Sequence, residues 1–157
     1  MQPLPHYYDV TATANENGNM EITSQGLTPL ISAPPAAFDG PGNLWSPETL
    51  LVAAVADCFV LTFRAIAAMS KLRWTSLVCD AKGTLDRSEG VMRFTSIELR
   101  ARLLLPARAD QDKAQTILEK TQKSCIVGNS LKFEPMLRAE IALECPHNEM
   151  QHYAFLL

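Results

Sequence analysis

The chain has 157 residues, 47% of them hydrophobic and 20% charged, with a formal net charge of −3. This balance excludes disordered and fibrous classes, and the length fits one globular domain better than two. Residues 1–63 hold six acids (Asp9, Glu16, Glu21, Asp39, Glu48, Asp57) and no Lys or Arg, and the 14 bases of the rest face 11 acids. Neither part carries the concentrated basic stripe that phosphate binding needs, so no nucleic-acid partner is expected.

The N-terminal MQPLPHYYDV has two prolines and no basic segment followed by an apolar one. It does not read as a signal peptide, and a cytoplasmic protein is expected. From His6 to Ala14 polar and apolar residues alternate loosely, NENGN supplies turn chemistry and MEITSQG resumes an extended pattern. The reading is a β-hairpin with TPLISA as a third strand. PPAAFDGPGNLW is too rich in proline and glycine for regular structure and reads as a long loop.

SPE then opens a helix. Ser46 can cap the free amides, Pro47 loses no needed donor at the first position, and Glu48 meets the positive end of the dipole. Leu50 to Met69 is apolar on nearly every side and long enough to cross a bilayer. Asp57 and Arg64 would each cost about 2.5–3.5 kcal/mol near a bilayer centre, so a helix enclosed by protein is expected, with no membrane partner. A domain of this size has little material to wrap such a helix, which makes a second subunit a natural source of cover.

Arg73 to Asp86 and Val91 to Pro106, rich in β-branched and other apolar residues, read as a long hairpin turned by RSEG. ADQDKAQTILEKTQKS places Asp110 as a cap and Ala114, Ile117, Leu118 and Thr121 on one helical face. CIVGNSL breaks the pattern, and Met136 to Glu144 alternates as a last strand. The order β-β-β, buried α, β-β, amphipathic α, β is α+β, with antiparallel hairpins and helices gathered on one face.

Cys58, Cys79, Cys125 and Cys145 form no C-x-x-C pair, and His147 and His152 make a poor metal pair, so neither a metal nor another cofactor is expected. Cys79 and Cys145 read as structural. Cys125 ends an amphipathic helix at a loop, where a thiol can swing more freely than in a strand.

SPETLLVAAVADCFVLTF, with SCIVGNSL about 67 residues after Cys58, resembles the OsmC/Ohr family over roughly Tyr8 to Glu144. The resemblance implies that residues 1–157 form a single OsmC-like domain in an intertwined homodimer with its sites at the subunit interface. It further implies a thiol peroxidase for organic hydroperoxides, with Cys58 at the peroxidatic position, Cys125 at the resolving position, Glu48 as the supporting acid and a small dithiol of lipoyl type as reductant.

Family members also place an N-terminal Arg, held by the Glu, on the reactive thiol. No Lys or Arg precedes Arg64 here, and Arg64 itself lies about 240° around the helix from Cys58. Apolar burial raises a thiol's pKa, so a reactive Cys58 needs another donor. The residues on offer are the backbone amides before Ser46, His6, Lys123 and Lys132; with none in reach, the thiol keeps a pKa at or above about 8.5 and reacts weakly. A second reading is a small-molecule binding protein of the same fold without peroxidase activity. Glu48 stands ten residues from Cys58, about 15 Å along the helix, so the two meet only across subunits. Asp57, about 100° around from Cys58, reads as an exposed or interface acid.

Overall fold

The computed structural model describes residues 2–145. His147 and His152 lie outside the described residues. The chain divides between Leu51 and Val52 into two compact units.

The first unit holds an antiparallel three-stranded meander, β1 (Thr11–Thr13), β2 (Met20–Thr23) and β3 (Leu30–Ser32). Its register sets Thr11 opposite Thr23 and Met20 opposite Ser32. Gly18 in NENGN has φ +104°, a conformation that favours glycine and lets the chain reverse there. The proline-rich loop contains one element its composition did not suggest, a 3₁₀ turn at Ala36–Phe38 closed by Asp39 in the left-handed region. Beyond it, Ala33 donates its amide to the Trp45 carbonyl, which anchors the loop's two ends to each other.

Helix α1 (Pro47–Met69) starts as its sequence dictates. The Thr49 amide donates to the Ser46 hydroxyl at 3.2 Å and the Ser46 amide to the Thr49 hydroxyl at 2.9 Å, a reciprocal cap. It stops where Lys71 turns left-handed (φ 53°): Leu72 donates to the Ala67 carbonyl and Lys71 to that of Ala68, while Leu72 folds into the core.

The second unit is a sheet of order β4-β5-β6, with helices on one face. Strands β4 (Ser76–Ser88) and β5 (Val91–Leu105) form an antiparallel hairpin through Glu89 and Gly90, both at positive φ. On β5 every second residue from Ile97 to Leu105 is buried. These side chains meet Val55, Phe59, Phe63, Ile66 and Ala67 of α1, and Ala114, Ile117 and Leu118 of α2 (Gln111–Ser124). The Asp110 carboxylate caps α2 by accepting from the Lys113 amide at 2.9 Å. Strand β6 (Met136–Leu143) returns parallel to β5, because α2 carries the chain back to the sheet's starting end. The opposite sheet face is polar, with Arg102–Asp80, Arg138–Glu98 and Arg100–Glu140 ion pairs.

The architecture is α+β, as the element order predicts. Helix α1 is enclosed only in part: its own core covers one face, while Leu61 and Met69 stay 49% and 73% exposed.

Candidate functional site

Cys58 lies at the middle of α1, half-buried, one helical step from the core residue Phe59. Cys125 is buried at the junction of α2 and a four-residue helix, α3 (Ile126–Asn129), which the sequence pattern did not reveal. It ends α2 and also caps α3, its sulfur accepting from the Gly128 amide at 3.4 Å. The loop thiol expected to swing freely is therefore held in place by the helix it starts.

The first turn of α3 faces Cys58. The Val127 amide donates to the Cys58 sulfur at 3.5 Å, and the Thr62 hydroxyl, one helical turn further along α1, lies 4.0 Å from it. The Cys125 thiol donates to the Val55 carbonyl of α1 at 4.0 Å, one turn before Cys58 on the same helix. Burial pushes the Cys58 thiol up, but the Val127 amide, then the Cys125 thiol, the Thr62 hydroxyl and the Ile126 amide outweigh it and hold the pKa below its ordinary value. Burial pushes Cys125 up to about 11, with the Cys58 negative charge adding to the rise against the opposing Gly128 amide. Deprotonation of the pair thus falls on Cys58.

This corrects the expectation that Cys58 keeps an unperturbed or raised pKa. The donors are amides of a short helix turn, and the anticipated His6 instead has its Nε2 3.1 Å from the Gln2 carbonyl oxygen. The sequence signal for these donors is faint: a Cys standing where Ser or Asp usually caps a helix, with a Gly three residues on. Gly128 keeps this corner uncrowded: a Cβ there would sit 3.3 Å from the Cys125 sulfur and press on it.

Beside Cys58 runs an open groove of about 630 Å³. Leu61, Ala65, Ile66 and Met69 of α1 and Ile126 and Val127 of α3 make it apolar, and Asp57 and Lys120 supply its charges. Glu48 stands in the first turn of α1 with Oε2 buried and, among the described residues, without a hydrogen-bond partner. Cys79 faces the core from β4, its thiol pushed up to about 11 by burial, with the nearby Asp80 negative charge adding to the rise. Cys145 is exposed. All four cysteines are free thiols. Among the described residues no cluster of His, Cys, Asp and Glu is suited to a metal ion.

The family model described as OsmC-like protein matches residues 40–140. The chain belongs to the OsmC-like family. The matched span includes Glu48, Cys58 and Cys125. Among its relatives, an uncharacterized protein of Bacillus subtilis, YmaD, is 27% identical over 144 residues, covering 88% of this chain and 95% of that protein. An organic hydroperoxide resistance protein of Xanthomonas axonopodis pv. citri is 26% identical over 125 residues, covering 78% and 84%. An OsmC-like protein of unknown function from Vibrio cholerae has the same fold, with a TM-score of 0.76 at 19% identity over 88% of this chain and all of that one. The OsmC-like chain described here is thus similar both to proteins named for hydroperoxide resistance and to others without a stated function.

Proposed function

We propose that this protein is a thiol peroxidase that reduces organic hydroperoxides. The observation that carries the proposal is the placement of the two thiols: Cys58 receives the Val127 amide from the short helix that Cys125 caps, Cys125 donates to the Val55 carbonyl one turn before Cys58, and Cys58 borders an apolar groove. The Cys58 thiolate attacks the distal peroxide oxygen, the O–O bond breaks, and the alkoxide leaves as the alcohol after taking a proton. Cys58 becomes a sulfenic acid. The Cys125 thiol then displaces hydroxide, which departs as water, and a Cys58–Cys125 disulfide remains. A small dithiol of lipoyl type returns the pair to two thiols, closing to its own cyclic disulfide.

The apolar groove favours substrates with a hydrocarbon body over hydrogen peroxide. Glu48, with one carboxylate oxygen lacking a partner among the described residues, is assigned to support the site from a second subunit. We read residues 1–157 as one cytoplasmic OsmC-like domain that works as a homodimer. Stopped-flow mixing with an organic hydroperoxide tests the activity: loss of peroxide with one alcohol formed per disulfide supports it, and an inert, folded protein refutes it.

The absence of any Lys or Arg from residues 1–63 favours a second reading, a small-molecule binding protein that keeps the groove and lacks the chemistry. Saturable binding of an apolar ligand together with unreactive thiols would select it.

A further inference from the structure

The groove beside Cys58 is walled by two helices that run in opposite directions. The start of α1 lies over Gly83, where an added Cβ would sit 2.7 Å from Val52 Cγ2, and past the helix the Thr75 amide donates to the Leu104 carbonyl at 2.8 Å. Gly83 pairs with Ile97, so α1 runs the way β5 runs, from Ile97 toward Leu104. Helix α2 begins just after β5 ends and brings Cys125 back to Val55. It is therefore antiparallel to α1. Lys120, five residues before Cys125, stands about 7.5 Å back along α2, in the direction that leads from Cys58 toward Met69.

The groove's two charges are thus set apart along its length. Asp57 adjoins Cys58, Lys120 lies farther along the α2 wall, and Leu61, Ala65 and Ile66 face the space with apolar side chains. Among the described residues neither charge enters an ion pair. A carboxylate entering this groove is repelled by Asp57 and the Cys58 thiolate and drawn to the Lys120 ammonium, and the apolar wall screens the attraction less than open water does. An anionic amphiphile is therefore held in one orientation, with its charged end away from the sulfur.

We propose that Lys120 is a specificity-determining residue: it takes the carboxylate of an amphiphilic hydroperoxide, whose hydrocarbon chain lies along the α1 wall and whose peroxide group reaches Cys58. The ammonium sits on a flexible four-carbon stem and can follow carboxylates of different chain length. It selects for charge at the far end of the substrate and not for one fixed length. The preferred substrates are then free acids over the corresponding neutral esters. The peroxide arm of this inference rests on the peroxidase reading; the capture of a carboxylate by Lys120 does not.

Steady-state kinetics with oleic acid hydroperoxide and its methyl ester, together with calorimetric titration of decanoate and decanol, test it on the full chain. A charge-assisted contact on a half-open apolar wall should give wild type a KM about five- to tenfold lower for the acid than for the ester, at similar kcat. Lys120→Met should abolish that preference and weaken decanoate binding by the same factor, leaving the ester and decanol unaffected. Lys120→Arg should retain it. Lys113→Met, which removes an equal charge about two turns away on the same helix and outside the groove, should leave it unchanged. Equal KM values for acid and ester in wild type, a preference that survives Lys120→Met, or decanoate binding indifferent to Lys120 would each overturn the proposal. A wild type that consumes neither hydroperoxide but binds decanoate through Lys120 keeps the carboxylate site and removes the peroxidase reading.

Discussion

The Val127 amide donates to the Cys58 sulfur at 3.5 Å across 69 residues of sequence. This contact joins the middle of α1 to the first turn of α3, and it supplies a donor to a thiol whose burial alone would keep it protonated. Replacing Val127 by Pro removes that donor at a helix position where proline's fixed φ is tolerated. A hydrogen bond to a charged group contributes about 1.5–3 kcal/mol, and one pKa unit corresponds to about 1.36 kcal/mol. The Cys58 pKa, read from the pH dependence of alkylation in a background with the other three cysteines replaced by Ser, should therefore rise by about one to two units in Val127→Pro. An unmoved midpoint would show that other groups hold the thiolate.

Gly128 controls the second thiol. An added Cβ would meet the Cys125 sulfur at 3.3 Å and the Cys125 Cβ and Pro135 Cγ at 3.5 Å, so the thiol must shift to admit it. In Gly128→Ala the Cys58 sulfenic acid should persist several times longer before the disulfide closes, as read by trapping with a sulfenic-acid reagent. Unchanged closure would show that Cys125 has freedom to spare.

The caps and the core face of α2 were legible because their signals are local: Ser46 and Asp110 each cap within three residues, and Ala114, Ile117, Leu118 and Thr121 are the four residues α2 buries. The parallel direction of β6 was not legible, since it depends on how α2 crosses the sheet and not on β6's own alternation. Helix α3 escaped because four residues give no periodic window, and its cap is a thiol. The Cys58 and Cys125 pairing was visible only through the family resemblance, as each alone reads as an ordinary apolar residue. Which face of α1 stays uncovered needed the structure, since the helix is apolar nearly all round; Asp57 and Arg64 both lie on it.

Folding stability should fall in alkaline solution. Cys79 and Cys125 both have pKa values raised to about 11, so the folded chain holds protons that the unfolded chain releases near pH 8.5. Their contribution is complete below about pH 8.5 and is lost as pH rises toward 11. Cys58, with its pKa lowered, works in the opposite sense and offsets part of the loss. Urea denaturation across this range should show a shallower decline for Cys79→Ala than for wild type; parallel declines would mean that Cys79 does not titrate as described.

Gly83 on β4 is fixed by packing. A Cβ there would lie 2.7 Å from both Phe94 Cε1 and Val52 Cγ2, so Gly83→Ala forces the aromatic ring, the α1 side chain or both to move. Overpacking of this kind costs about 1–3 kcal/mol, which equilibrium denaturation should register as a lower midpoint at unchanged slope. A midpoint equal to wild type would show that Phe94 swings aside freely.

The central claim is that Cys58 and Cys125 form one redox pair. Treating the reduced protein with one equivalent of an organic hydroperoxide, blocking free thiols and mapping peptides by mass spectrometry tests it most directly. The account predicts a Cys58–Cys125 disulfide within one chain, with Cys79 and Cys145 recovered as blocked thiols. Recovery of Cys58 as a blocked thiol from a folded protein, with neither disulfide nor sulfenic acid, would contradict it.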